Sequence, residues 1–192
     1  TKQMTTANTQ EIQKLCEFHP ERAKALGDML YGDDLAKRAK WLELFKNPIF
    51  HDKRQFRKLY DQREIAYKRI KAVHDAKLFS IYDFVNDPVN LFTAHEALSL
   101  IDGSLATKFT VQNNLFGGTL MALSTDQHKD FLKRVDPLDV MGCFCFTELG
   151  YGNNAPKMET TATYDNATQE FVINCPTVMA QKYWITNGAC HA

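Results

Sequence analysis

The residue pattern of this chain changes character once, at Asp136-Pro137, and that change limits the folds open to it. Before it, apolar residues recur at three- and four-residue steps between helix-capping signals, the signature of amphipathic helices. After it, the segments "VMGCFCFTEL", "METTATYD", "EFVIN" and "AQKYWITN" are short and rich in β-branched and aromatic residues. Turn clusters at 150–156, Asp165-Asn166 and Asn174-Cys175-Pro176 separate them, so they read as antiparallel strands. The expectation is an α+β chain, with an all-helical N-terminal domain over 1–137 and the first part of an antiparallel β-domain over 138–192.

The helical part carries its own punctuation. Pro20 suits a first helical turn, followed by Ala23, Leu26, Met29 and Leu30 and a stop at Gly32. Asp33 or Asp34 is placed to cap a second helix bearing Leu35, Ala39, Leu42 and Phe45, which Asn47-Pro48 ends. The run "DKRQFRKLYDQREIAYKRIKAVHDAKL" sets Phe56, Leu59, Tyr60, Ile65, Tyr67, Ile70 and Val73 among basic residues. It reads as a solvated face over a core stripe, because Asp52, Asp61, Glu64 and Asp75 soften its field. "FTAHEALSLIDGS" predicts a helix capped by Thr93 with Glu96 completing a capping box, and Thr125 or Asp126 opens another. Between these, Gly117 and Gly118 interrupt a largely apolar helix at a point suited to close packing, and the "FGGT" there lacks the lysine of a phosphate loop.

Lys+Arg and Asp+Glu both number 23 in 192 residues, so no overall charge favours nucleic acid or an anionic membrane. No apolar run approaches the length of a membrane span. The five cysteines, Cys16, Cys143, Cys145, Cys175 and Cys190, are odd in number, and the C-x-C spacing is too short for a zinc knuckle. They are expected to be reduced, buried small hydrophobes in an intracellular compartment. The six histidines do not cluster at ligand spacing, so no metal is expected. The opening Thr-Lys-Gln and the close on "WITNGACHA" suggest a fragment.

Two pieces can carry chemistry. In "FTELGYGNN" a strand delivers Thr147 to a turn freed by Gly150 and Gly152, which exposes backbone N–H groups beside a hydroxyl, although an ordinary hairpin turn has the same pattern. In "KYWITNG", Trp184 and Thr186 would share one strand face, setting a flat aromatic beside a hydroxyl, as a buried strand also could. The intervening hairpin could bring the two pieces side by side.

From Gly142 to Ala192, "GCFCFTELGYGNN", "METTATYDNATQEFVINCPT" and "QKYWITNGACHA" closely resemble the middle β-domain of the acyl-CoA oxidases in order and spacing. "LFKNPIF" and "VQNNLFGGTLMALSTDQHKDFL" resemble that family's helical N-terminal domain less strongly. The wider acyl-CoA dehydrogenase superfamily shares the Thr-Glu and "WITN" motifs, but Leu149 stands where dehydrogenases commonly have proline, and "ETTATYD" favours the oxidases. The resemblance implies an FAD-dependent enzyme that desaturates a fatty acyl-CoA and passes electrons to molecular oxygen, giving hydrogen peroxide, as a homodimer in a peroxisome-like organelle. It implies that Thr147, Gly152, Trp184 and Thr186 contact the flavin and that Asn153 faces substrate, with an amide where the family has a hydroxyl. Tyr151 replaces the histidine usual in oxidases. The catalytic glutamate of the family has no counterpart here and is expected beyond residue 192. Glu148 is expected to point away from the flavin and Glu159 to lie on a strand surface. The competing readings are a dehydrogenase-type flavoenzyme and a non-catalytic helical module with a β-appendage, whose basic helix meets an acidic partner or a membrane.

Overall fold

The computed structural model describes residues 19–32, 34–52 and 58–191; Cys16, Asp33 and Phe56 lie outside them. In chain order the helices are α1 (Pro20–Tyr31), α2 (Leu35–Leu44), α3 (Leu59–Asp75), the short α4 (Asp83–Asn86), α5 (Pro88–Ile101), α6 (Gly103–Phe109), α7 (Gly118–Leu123) and the short α8 (Lys129–Leu132). A π-helix over Thr110–Gly117 joins α6 to α7, and a 3-10 turn over Pro48–His51 follows α2. Two strands, β1 (Thr161–Asp165) and β2 (Glu170–Asn174), form one antiparallel hairpin with Thr161 opposite Asn174 and Asp165 opposite Glu170.

Among the described residues the main core cluster lies in the helical part. Trp41, Phe45, Phe50, Ile70, Val73, Phe79, Ile81, Leu98, Leu105 and Phe109 interlock there, closed from the far end by Leu132 and Val135. The apolar stripe expected on α3 is realised at Ile65, Ile70 and Val73, while Leu59 and Tyr60 face outward. Pro20 does open α1, but this helix buries none of its residues, and Leu26, Met29 and Leu30 are exposed.

One charged side chain sits within this core. Arg69 on α3 is fully buried, and its guanidinium donates to the carbonyls of Ile49 (3.0 Å), Phe50 (3.1 Å) and Asp52 (2.8 Å). Its remaining arm meets the Asp102 carboxylate at 2.7 Å, whose other oxygen accepts from the Ser104 N–H at the start of α6. Three elements are therefore tied through a single planar donor fork.

Two caps differ from the sequence expectation. Helix α5 begins at Pro88, with Asp87 accepting from the Asn90 N–H, six residues before the expected cap at Thr93. Proline at the first position and an aspartate before it outcompete the later Thr-Glu signal. Thr93 is buried within α5 and donates to the Asp34 carboxylate and the Val89 carbonyl, while Glu96 pairs with Arg38. Asp34 stands at the start of α2 as expected, but its carboxylate takes Arg38 and Thr93 instead of a helix N–H. The cap at Thr125 forms, with the His128 ring closing the box. Gly117 packs as expected, since a Cβ there would stand 2.8 Å from Ile81 Cγ2.

After Val135 the chain folds back on the helices. Asp136 accepts from the Ile81 N–H (2.9 Å) and the Ser80 hydroxyl, and its carbonyl accepts from His74 Nδ1 at 2.7 Å. Burial pushes the His74 imidazole below its usual pKa, an effect that the Asp136 carbonyl opposes. Gln112 of the π-helix then holds the next residues, donating to the Val140 carbonyl and accepting from the Gly142 N–H, each at 3.0 Å.

The strand expectation holds for "TATYD" and "EFVIN" and fails for two other segments. "VMGCFCFTEL" and "AQKYWITN" meet in a single bridge, Glu148 with Lys182, and form no ladder. The Phe146 N–H turns back to the Phe144 carbonyl at 3.0 Å, curling the first segment at Cys145, and Trp184 takes a positive φ of 59° that ends the second. The four cysteines among the described residues are free, but against the expectation of burial Cys145 and Cys175 are exposed and Cys143 and Cys190 only half-buried.

Replacing Arg69 by methionine is expected to cost about 3–5 kcal/mol of folding free energy, since Asp102 and three carbonyls then lose a buried partner. Urea unfolding followed by the fluorescence of buried Trp41 measures it.

Candidate active site

The two segments singled out in the sequence do come together. The Tyr183 N–H donates to the Thr147 carbonyl (3.0 Å), Leu149 N–H to the Gln181 carbonyl (2.8 Å) and Gly150 N–H to the Met179 carbonyl (3.0 Å). Thr147 thus sits beside the Tyr183-Trp184 pair, whose rings stand edge-on at 5.3 Å. Trp184 is 82% exposed, so its flat face is open. Trp184 and Thr186 do not share a strand face, because no strand forms there and the positive φ at Trp184 turns the chain. Thr186 instead lines a cleft against the helices. Among the described residues neither the Thr147 nor the Thr186 hydroxyl has a hydrogen-bond partner.

The two glycines of the turn separate in role. A Cβ at Gly150 would stand 2.6 Å from Met179 Cβ, so this glycine lets the chain's own backbone close up. Gly152 has φ 49° and nothing within 4 Å of a would-be Cβ, so it shapes the turn and leaves open space beside it. Asn153 is exposed on the same turn. The Tyr151 N–H and Gly152 N–H both turn inward to the Glu148 carbonyl, at 3.2 and 3.1 Å.

Glu148 organises this region. Its side chain is buried, accepting from the Glu159 N–H (2.9 Å), the Thr160 N–H (3.0 Å), the Thr160 hydroxyl and Lys182 Nζ (3.1 Å). Burial alone would raise its pKa, but the Thr160 hydroxyl, the two backbone N–H groups and Lys182 outweigh it and bring the carboxyl down to about 2. A carboxylate held that firmly ionised is a poor proton acceptor, and its four donors leave it no room to act as a base. Those same bonds take the N–H groups of Glu159 and Thr160, so β1 starts only at Thr161 and not at Met158 as the sequence suggested. Glu159 is half-buried, not on a strand surface. It accepts from the Tyr151 and Thr177 hydroxyls, which hold its pKa below the usual carboxylate value.

A cleft of about 460 Å³ lies between α3, α6 and the segment 185–191. Its walls include Arg63, Ser104, Thr107, Lys108, Thr186 and His191. Lys108 Nζ donates to Asn187 Oδ1 at 2.9 Å, and Asn187 Nδ2 reaches the Gly142 carbonyl at 3.4 Å. Burial pushes the Lys108 ammonium below its usual pKa, with Cys190 opposing the shift. At the other end His191 stacks on Tyr67, with ring centroids 4.7 Å apart, and its Nε2 lies 3.2 Å from Glu64. Nothing in the sequence singles out Lys108 or Asn187, and Glu64 and Tyr67 figure there only as parts of the basic helix. Gly103, Ser104, Thr107 and Lys108 do share one side of α6, but nothing local announces that residues 185–191 will dock on it. Among the described residues no cluster of His, Cys, Asp and Glu could hold a metal ion, and no helix is long and apolar enough to cross a membrane.

The same fold occurs in solved proteins. An acyl-CoA oxidase-2 from Caenorhabditis elegans, crystallised with FAD, ascaroside-CoA and ATP, matches 84% of this chain and 24% of its own, with a TM-score of 0.64 and 26% identity. Peroxisomal acyl-coenzyme A oxidase 2 of Arabidopsis thaliana is 39% identical over 133 residues, 68% of this chain and 19% of the relative. Peroxisomal acyl-coenzyme A oxidase 3 of the same plant is 31% identical over 191 residues, 96% of this chain and 28% of the relative. The chain belongs to the acyl-CoA oxidase family. It spans 19% and 28% of the length of these two oxidases. No family model matches it.

The role of Glu148 predicts an acid signature. Its folded pKa of about 2 lies below the ordinary 4.5, so its stabilising effect is complete above that value and fades as pH falls toward 2. The melting temperature of Glu148→Gln is expected to lie below that of the parent at neutral pH, with the gap narrowing through this window. Thermal scans between neutral pH and pH 2 measure the gap.

Proposed function

We propose that the protein to which this chain belongs is an FAD-dependent acyl-CoA oxidase that introduces an α,β double bond into a fatty acyl-CoA and passes the electrons to molecular oxygen as hydrogen peroxide. The observation that carries the reading is the pairing of Thr147 with Tyr183-Trp184 beside an open turn at Gly152, in a chain of this family. A flavin, when bound, supplies hydride acceptance and then reaction with oxygen.

The residues present fit a flavin in kind. Thr147 and Thr186 offer free hydroxyls that can donate to carbonyl or ring-nitrogen acceptors, and Trp184 offers an exposed indole face against which a planar ring can lie. Gly152 leaves space for close approach along the turn, where Asn153 presents an amide to the substrate side. These five residues are the proposed contacts. The Glu148 network holds the turn in place before ligand arrives, so binding spends little on ordering it. No residue of this chain is assigned the removal of the α-proton, since Glu148 is fully engaged and Glu159 is held by two hydroxyls.

The cleft under Thr186 lies next to this proposed wall, and its partly buried Lys108 fixes the Asn187 turn against α6. The division near residue 137 is part of the same proposal, supported by the end of the last α-helix at Leu132 and the absence of apolar core residues beyond Val135 apart from Ala180 among those described. The peroxisomal names of both plant relatives support the same compartment for this protein, and the family reading carries a homodimer with it.

The test is made on the full-length protein. Purified enzyme is expected to be yellow and to release peroxide on addition of a fatty acyl-CoA, with oxygen consumed in step. A colourless protein that takes up no FAD and releases no peroxide would overturn the reading. Removing the Thr147 hydroxyl in Thr147→Ala is expected to lower kcat/KM by roughly ten-fold to a hundred-fold, the size of one lost polar contact to the reacting system.

A further inference from the structure

Cys143 and Cys145 stand apart from everything the proposed reaction uses. Their Sγ atoms lie 3.4 Å apart, although the residues are only two positions apart in the chain. An extended strand would hold such side chains well separated, and the structure shows what brings them together. The Phe146 N–H bonds to the Phe144 carbonyl at 3.0 Å, which curls the backbone about Cys145 and draws alternate side chains onto one another. The same curl stacks Phe144 on Phe146, with centroids 5.3 Å apart and planes 19° from parallel. The curl lies between two fixed points. Gly142 is held by Gln112 and packs so close to Phe116 that a Cβ there would overlap the ring. Thr147 is held by Tyr183. Both thiols are free, Cys145 exposed and Cys143 half-buried.

We propose that Cys143 and Cys145 form a dithiol modification site that a hydroperoxide closes to a disulfide. The steps balance without a further reagent. A hydroperoxide oxygen transfers to the exposed Cys145 sulfur, giving the sulfenic acid and, from hydrogen peroxide, one water. Cys143 then attacks that sulfur, an S–S bond forms, the S–O bond breaks and a second water leaves. The two cysteines lose two electrons and two protons, and peroxide takes up both. Burial and the hydrogen bond with Cys145 raise the Cys143 thiol pKa, which makes Cys145 the first target. A disulfide across a single residue closes a tight ring in a segment fixed at both ends, so it belongs with the strained, exposed class that thiols readily reduce. The chemistry of the pair stands on its own geometry; only the source of peroxide rests on the oxidase reading.

The experiment treats full-length protein with hydrogen peroxide in the absence of acyl-CoA, blocks remaining thiols by alkylation, and examines the tryptic peptide 135–157, which contains Cys143 and Cys145 and no other cysteine. The expected product is that peptide lighter by two hydrogens and unalkylated, restored to two alkylated cysteines after dithiothreitol. In Cys143→Ser the same treatment should leave Cys145 as sulfenic or sulfinic acid. Recovery of both thiols fully alkylated, at a peroxide dose that oxidises the exposed Cys175, would overturn the proposal. So would oxidation of wild-type Cys145 to the sulfinic acid with no disulfide. A parallel arm supplies fatty acyl-CoA and oxygen in place of peroxide. A disulfide with added peroxide, but neither disulfide nor released peroxide on supplying acyl-CoA and oxygen, would count against the oxidase reading and leave the site intact.

Discussion

The helical part depends on one buried guanidinium. Arg69 gives its donors to the carbonyls of Ile49, Phe50 and Asp52 and to the aspartate that starts α6, so the 3-10 turn after α2, the middle of α3 and the entry to α6 are fixed by one planar group. A buried charge would ordinarily cost more than it returns. Here every arm is matched to a carbonyl or carboxylate, and the side chain is fully buried from the water that would weaken those bonds. The cleft inherits its floor from this arrangement, since α3 and α6 form two of its walls.

A second ionised group plays the matching part beyond Val135, with its sign reversed. Glu148 gathers two backbone N–H groups, a hydroxyl and an ammonium, and so replaces the ladder that the "FTEL" and "KYW" segments do not form. The region has almost no apolar core to rely on, since the hairpin side chains Phe171, Val172 and Ile173 are all exposed. Polar satisfaction, not burial of area, sets the position of the turn that carries Gly152.

What the sequence disclosed follows the range of the forces involved. Helix positions, the β1–β2 hairpin and the meeting of the Thr147 and Trp184 segments rest on local patterning, and they were legible. The start of α5 departs from the sequence expectation because two capping signals, at Asp87 and at Thr93, compete within a few residues and the earlier one carries a proline at the first helical position. Trp184 and Thr186 were assigned a shared face because alternation holds only while a strand persists, and a positive φ at a tryptophan leaves no trace in composition. The pairing of Lys108 with Asn187 spans 79 positions, which no spacing rule reaches. The curl at Cys145 was hidden for a different reason: its alternating aromatic and thiol residues look like a strand and are held as a turn by their neighbours on either side.

The π-helix at Thr110–Gly117 has a further consequence. A wider turn carries an extra residue through the same rise, so everything after it is rotated relative to an unbroken α-helix. Gln112, within that turn, makes both hydrogen bonds to the Val140–Gly142 segment, and Gly117, at its end, fits against Ile81. The angular phase of one helix is thereby coupled to where the later chain begins its path toward Thr147. Loss or gain of a single residue in this turn would swing Gly118–Leu123 about its axis without changing its composition. Length variation in homologous chains should accordingly be excluded from these eight positions, which run without a loop between α6 and α7.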